Sequence, residues 1–192
     1  MRIILASKSP RRREILENLG VKFEIITADC DESCDVSDPE EKVMTIAARK
    51  GRAVLDTLEA SSDVLIIACD TLVYAQGEFL GKPKDAEDAR RMLEMLSGDS
   101  HSVVSGIYLY RNGKEIRRAT STSVIFDEMS KKDIEDYISS GEPMDKAGAY
   151  AVQGRASVFI KGLEGDYFNV VGLPVNLLAK TLRECYSIDI LA

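Results

Sequence analysis

Tryptophan is absent from this 192-residue chain, histidine occurs once, and aromatic residues make up 6% of it. So few rings argue against a binder of single-stranded nucleic acid, which stacks bases on aromatic platforms. With one histidine, a Ser-His-Asp or Cys-His mechanism would rest on His101 alone. That residue opens a strand-like run, where a structural or substrate-edge role suits it better. Four cysteines occur, Cys30, Cys34, Cys69 and Cys185. Cys30 and Cys34 form one close pair, and no second pair completes a structural zinc site. No apolar run reaches the ~18 residues of a membrane span. Met1-Arg2 leads straight into a strand-like run with no signal-peptide core, so the reading is a cytoplasmic protein with reduced thiols. No repeat, low-complexity segment or linker interrupts the sequence, which reads as one domain over residues 1–192. Lys and Arg number 25 against 32 Asp and Glu, a net charge of −7. An acidic chain is a poor nonspecific partner for nucleic acid.

Against that acidic background stands one basic cluster. The apolar run Ile3-Ile4-Leu5-Ala6 reads as a short buried strand. It breaks at Ser7-Lys8-Ser9-Pro10, and Arg11-Arg12-Arg13 open an amphipathic helix carrying Ile15, Leu16 and Leu19. Ser9 suits the N-cap, Pro10 the first helical position and Gly20 the C-terminal stop. Arginines in a first turn oppose a macrodipole that is already positive, at roughly 0.3–1 kcal/mol per exposed charge. Helix N–H groups, two serines and guanidiniums at one strand-to-helix turn suit a bound anion such as phosphate. The alternative is a solvated face on which Glu14 and Glu17 pair with the arginines.

The rest of the chain alternates loosely between the two periodicities. A second strand is expected over Lys22–Ile26, followed by the acidic loop Asp29–Asp35. Asp38-Pro39-Glu40-Glu41 starts a helix burying Val43, Met44, Ile46, Ala47, Val54, Leu55 and Leu58. Val64–Cys69 is continuously apolar, as a strand covered on both faces would be, and delivers Asp70-Thr71 near its end. Asp85 caps a helix through Leu96, and Asn112-Gly113 joins two long strand-like runs as a hairpin. Ser130 starts a helix that ends at Gly141, and Leu173-Pro174 opens the last one. Short strands are expected at Tyr150–Gly154 and Ser157–Ile160. The sum is a mixed α/β fold around one long sheet.

Asp70 is the foremost candidate for chemistry. A carboxylate on a buried strand is costly unless it is paired or holds a metal, and strand ends are where open α/β sheets place ligands. Capping a turn is its alternative role. Glu32, beside Asp29 and Asp31, offers hard oxygen ligands for Mg²⁺ or Mn²⁺, or belongs to a solvated loop. Lys50 and Lys82 are point charges fit for phosphate or for a plain surface. Gly81-Lys82-Pro83 lacks the glycine spacing and following Ser/Thr of a Walker A loop.

Read together, these pieces gain meaning. Ser7-x-Ser9-Pro10-Arg11-Arg12, Glu32, Lys50, Asp70-Thr71, Gly81-Lys82-Pro83, Ala147–Tyr150 with Gln153-Gly154, and Val171–Pro174 follow one another as in a known family. The chain resembles the Maf family of nucleoside triphosphate pyrophosphatases from Arg2 to about Arg183. The resemblance implies a fold like that of the inosine triphosphate pyrophosphatases: an elongated α/β protein with a mixed central sheet, flanking helices and a cleft between two lobes, often a homodimer. It implies hydrolysis of a nucleoside triphosphate between the α and β phosphates with a divalent cation, Mg²⁺ or Mn²⁺.

By position, Asp70 matches the family's catalytic acidic residue, assigned as proton acceptor. Arg12, Thr71 and Gln153 match positions tied to substrate choice, and look like the dTTP/UTP branch rather than the 7-methyl-GTP branch. Ser7, Arg11, Lys50 and Lys82 match phosphate-site positions, and Asp70 with Glu32 the metal site. The expected partner is a nucleoside triphosphate, with no stable nucleic acid and no membrane. Gln153 carries both a donor and an acceptor, matching the edge of uracil or thymine. Cys69 departs from the family's usual alanine, and a packing change alone is expected there. A noncanonical nucleotide as substrate, or a nucleotide-binding role in cell division, stands as the alternative.

Overall fold

The computed structural model describes residues 1–59 and 63–191. The opening apolar run forms β1 (Arg2–Leu5), and Pro10 starts α1 (Pro10–Asn18), which buries Ile15 and Leu16. The predicted second strand shrinks to β2 (Glu24–Ile25), both of whose residues are exposed. Asp38 caps α2 (Pro39–Leu55) by accepting the Glu41 N–H at 2.8 Å. Of the apolar face predicted for α2, Val43, Ile46, Ala47 and Val54 are buried, whereas Met44, Leu55 and Leu58 are half-buried.

The Val64–Cys69 run does not end at Asp70-Thr71. It continues as β3 (Val64–Ala75), because Thr71, Leu72 and Val73 favour extended backbone as strongly as the residues before them. Asp70 therefore sits inside a strand. β4 (Glu78–Leu80) follows, then α3 (Ala86–Leu96) with Ala89, Met92, Leu93 and Leu96 buried, as its 3.6-residue spacing requires. The long strands β5 (Ser100–Arg111) and β6 (Lys114–Phe126) meet at Asn112-Gly113, whose φ angles of 49° and 79° suit a tight hairpin turn. Ser130 and Asp133 close a capping box on α4 (Lys131–Ser139).

Short 3₁₀ turns at Glu142–Asp145, Ala147–Ala149 and Arg155–Phe159 come next, then β7 (Ile160–Glu164), α5 (Tyr167–Val171) and α6 (Val175–Tyr186). The strands expected at Tyr150–Gly154 and Ser157–Ile160 are replaced by a turn and a 3₁₀ turn. Ala156 alone is buried in Arg155–Phe159, and the Ser157 N–H donates to the Gly154 carbonyl at 3.0 Å. With no alternating apolar face to bury, the local bond wins over the sheet.

The sheet is open, mixed and seven-stranded, in the order β2-β1-β3-β5-β6-β7 with β4 paired to β3. β1 runs parallel to β2 and β3, whereas β3–β4 and β6–β7 are antiparallel. The residues cluster into two compact units. The first comprises Met1–Asp70, Ser105–Thr120 and Gly172–Ala192, and the second Thr71–Val104 and Ser121–Val171.

The first unit's core includes Ile4, Ala47, Val54, Ile66, Ala68 and Tyr108. Here α2 lies directly on β5. A Cβ on Gly106 would stand 2.6 Å from both Met44 N and Val43 C, so only glycine permits this backbone approach. The second unit packs Leu80, Leu93, Leu96, Val124, Ile134 and Tyr150 around Phe126. His101 belongs to this core. It is 5% exposed, its Nε2 lies 2.7 Å from the Tyr150 hydroxyl, and its ring stacks edge-on against Phe126 and Tyr150. Burial, opposed by Asp99, lowers its pKa to about 4. It is a structural histidine. No helix among the described residues is long and apolar enough to cross a membrane.

Candidate functional site

The first unit assembles two small polar groupings from the sequence candidates. One is centred on Lys50, which α2 carries on its fourth turn. Its ammonium donates to Asp70 Oδ1 at 2.7 Å and lies 2.7 Å from Glu32 Oε2. The Lys50 and Asp70 side chains are 19% and 15% exposed, while Glu32 is 60% exposed. Burial alone pulls the lysine pKa down. The charge of Asp70 and its hydrogen bond, with Glu32 behind them, outweigh that, so the pKa stands above the ordinary lysine value. Lys50 is a fixed cation between two carboxylates, one on β3 and one on the acidic loop.

That loop has no regular structure of its own, and α2 straps it down. The Arg49 guanidinium donates to the Asp31 carbonyl at 3.1 Å and to the Ser33 carbonyl, so the peptide is held on either side of Glu32. Lys42 takes the Cys34 carbonyl. Asp31 closes an Asx turn by accepting the Ser33 N–H at 2.8 Å. The acidic loop is therefore held in place by its backbone, while its acidic side chains remain exposed.

The second grouping is the strand-to-helix turn after β1. Ser9 occupies the N-cap but makes no side-chain cap bond. Its N–H donates instead to Ser7 Oγ at 3.2 Å, and Arg12 Nη1 donates to the same oxygen at 3.2 Å. Arg12 Nε donates to the Gly172 carbonyl at 2.7 Å. Arg11 is half-buried in the same first turn. Arg13 points elsewhere, into an exposed i,i+4 pair with Glu17 at 2.9 Å.

The two groupings share an anchor. The Gly172 carbonyl that accepts from Arg12 also receives the Cys69 thiol at 3.4 Å, and Cys69 precedes Asp70 on β3. Cys69 thus does more than fill space: its weak S–H donor ties the strand carrying Asp70 to the residue that holds Arg12. Gly172 has a φ of 124°, a backbone open to glycine and little else. Neither this carbonyl nor the Arg49 strap is marked by a charge pattern in the sequence, since both act through the main chain.

The remaining candidates belong to the second unit. Thr71 is half-buried on β3, and Lys82 and Gln153 are exposed on loops. The Gly81 carbonyl accepts the Gly148 N–H at 3.0 Å, which fixes the Lys82 loop to the 3₁₀ turn Ala147–Ala149.

The donor set suits a hard divalent ion. No group of three or more His, Cys, Asp or Glu that could hold a metal ion exists among the described residues, but Mg²⁺ commonly takes one or two carboxylates and completes its octahedron with water and substrate phosphate. Asp70 and Glu32 both contact the Lys50 ammonium, and are the carboxylates that would be available to such an ion.

Comparison with known proteins places the chain in a family. The model of the family described as "Maf-like protein" matches residues 2–185. A protein of Alkaliphilus metalliredigens named dTTP/UTP pyrophosphatase is 46% identical over 193 residues, covering 99% of both chains. One from a Geobacillus species bearing the same name is 45% identical over 183 residues, covering 95% of both. Among solved structures, the Staphylococcus aureus Ham1 protein aligns with a TM-score of 0.55 over 96% of this chain and 99% of that one, at 16% identity, a likeness of fold alone. On the match along nearly its whole length and the identity to these relatives, the chain belongs to the Maf family.

Proposed function

We propose that this protein hydrolyses dTTP and UTP to the monophosphate and pyrophosphate. The observation that carries the reading is the Glu32–Lys50–Asp70 grouping, in a chain up to 46% identical to proteins named for that activity. Attack of water on the α-phosphorus forms one P–O bond and breaks the bond to the β-phosphate. The protein's task is to position the groups and neutralise charge. Arg11, Arg12 and Ser7 at the α1 N-terminus, with Lys50 and Lys82, hold the polyphosphate. Asp70 accepts the proton of the attacking water, and pyrophosphate leaves with the bonding pair.

Lys50 serves both sides of this chemistry. Its charge keeps Asp70 and Glu32 close without mutual repulsion, and it is available to a phosphate oxygen. Asp70 and Glu32 would hold a divalent cation, which would supply charge neutralisation and a more acidic water. Arg12, Thr71 and Gln153 choose the base, and the amide of Gln153 pairs with the donor–acceptor edge of a pyrimidine. A cytoplasmic homodimer belongs to the same reading, and light scattering in solution tests the dimer.

The decisive experiment is pyrophosphate release from a panel of UTP, dTTP, CTP, ITP and 7-methyl-GTP with Mg²⁺ or Mn²⁺. UTP and dTTP are expected to lead the panel, and Asp70→Asn to lose at least ~100-fold in kcat, as removal of a general base does. No release from any nucleotide, or a wild-type rate for Asp70→Asn, refutes the assignment.

A further inference from the structure

The turn that carries Gln153 is built on one half-buried carboxylate that the sequence reading did not single out. α4 ends at Gly141 in a left-handed conformation, φ 75°, and the chain enters the 3₁₀ turn Glu142–Asp145. Glu142 then turns its carboxylate toward the residues following Gln153. Oε1 and Oε2 accept the Arg155 N–H at 2.9 and 3.1 Å. The Tyr137 hydroxyl donates to Oε1 at 2.9 Å, and the Ser140 hydroxyl receives the Glu142 N–H at 3.2 Å. A carboxylate gripped by a phenol and facing a backbone N–H has one orientation.

Gly154 shows how close the fit is. A Cβ on that residue would lie 2.5 Å from the Glu142 carboxyl carbon and 2.8 Å from Oε2. The main chain of the turn rests on the carboxylate with no room for a side chain. The turn is further closed by the Gly154 N–H, which donates to the Ala151 carbonyl at 3.1 Å. Glu142 thus holds the Arg155 N–H and packs against Gly154, while the Gln153 side chain itself is exposed.

We infer that Glu142 is a positioning residue for base selection: it seats the Gln153–Gly154–Arg155 turn, and so sets where the Gln153 amide meets a pyrimidine. The inference rests on the reading of Gln153 as the base-selecting residue. It makes Glu142 and Tyr137 determinants of specificity that act through the main chain. Both carboxylate oxygens accept from the Arg155 N–H, so an amide sets an NH2 donor against it in either orientation, and in one of them also reverses the direction of the Tyr137 bond. The turn then shifts while the phosphate-holding residues keep their places.

The test is a double-mutant cycle read as selectivity, the ratio of kcat/KM for UTP to that for CTP. Gln153→Ala is expected to lower this ratio. Glu142→Gln should lower it by about tenfold, the worth of one hydrogen bond to a charged group. Its effect should fall mainly on KM for UTP, and combined with Gln153→Ala it should add nothing further. Tyr137→Phe, which removes one bond to Glu142, should shift the ratio the same way by a smaller factor. It also carries the test if Glu142→Gln does not fold.

If Gln153→Ala lowers selectivity while Glu142→Gln and Tyr137→Phe leave it unchanged, Glu142 is only structural and the inference is wrong. Independent, multiplying losses in the double mutant overturn it as well. Unchanged selectivity in Gln153→Ala overturns the Gln153 reading itself, and the role of Glu142 with it.

Discussion

Lys50→Met removes the cation between Asp70 and Glu32 while keeping most of the alkyl stem. Each carboxylate contact is 2.7 Å, but the two differ in worth. Glu32 is 60% exposed, so water screens its pair to below about 1 kcal/mol. Asp70 is 15% exposed and Lys50 19%. At an effective dielectric of about 20, their gross attraction at that distance is about 6 kcal/mol, much of it offset by desolvation. Losing one partner of a half-buried pair should cost about 2–3 kcal/mol, under the 3–5 of a fully buried one. For a chain of this size that is a fall in Tm of about 4–12 °C.

Calorimetry at neutral pH without divalent metal measures this fall. Mg²⁺ should restore more stability to the variant than to the wild type, because two unneutralised carboxylates then face one another. In an Asp70→Asn background, Lys50→Met should cost far less, since the stranded charge has gone. The pH arm has a definite sign. The folded pKa of Lys50 lies above its unfolded value of 10.5, so the stabilisation is complete below pH 10.5 and is lost as pH rises through the higher folded value. Wild-type stability should therefore drop more steeply above pH 10.5 than that of the variant. A Tm change under about 1 °C, or equal costs in both backgrounds, refutes the account of Lys50 as the counter-charge of Asp70.

Two further perturbations test the framework around the site. Gly106→Ala drives a Cβ into the α2 backbone at 2.6 Å and should cost at least ~3 kcal/mol by chemical denaturation, because neither β5 nor α2 can give way. A loss below about 1 kcal/mol would show that the helix slides freely on the strand. His101, with a folded pKa of about 4 against 6.5, stays neutral in the core while the unfolded chain takes up a proton. Its contribution is complete above pH 6.5 and is lost as pH falls toward 4, on the order of 3 kcal/mol in all. A His101→Gln variant should show a flatter acid limb in stability-versus-pH curves, and an unchanged limb would assign that loss to carboxylates instead.

Local rules carried far along this chain. Pro10, Asp38-Pro39, Asp85 and Ser130 each start a helix where capping chemistry puts it, and Asn112-Gly113 makes the hairpin. They failed where the competing signal was weak. The Tyr150–Phe159 stretch has enough apolar residues to resemble strand, yet its small residues leave no alternating face to bury, and a turn and one 3₁₀ turn take it. Asp70 looked like a strand terminus because a carboxylate ends an apolar run, but the backbone has no reason to stop there once Lys50 neutralises the charge.

The sequence by itself determined the chemistry available: an acidic chain with a basic strand-to-helix turn, a lone carboxylate in an apolar strand, and a motif order specific enough to imply the family. Those are properties of residue type and short spacing, which one dimension holds completely. Tertiary structure alone decided which groups meet. It put the Lys50 ammonium between Asp70 and Glu32, let one Gly172 carbonyl receive both Arg12 and Cys69, made Arg49 a strap for the Glu32 loop, and seated the Gln153 turn on Glu142. Three of these four work through main-chain carbonyls and N–H groups, which every residue carries alike. A sequence pattern cannot mark which of them will be used until folding brings a particular side chain within 3 Å or so.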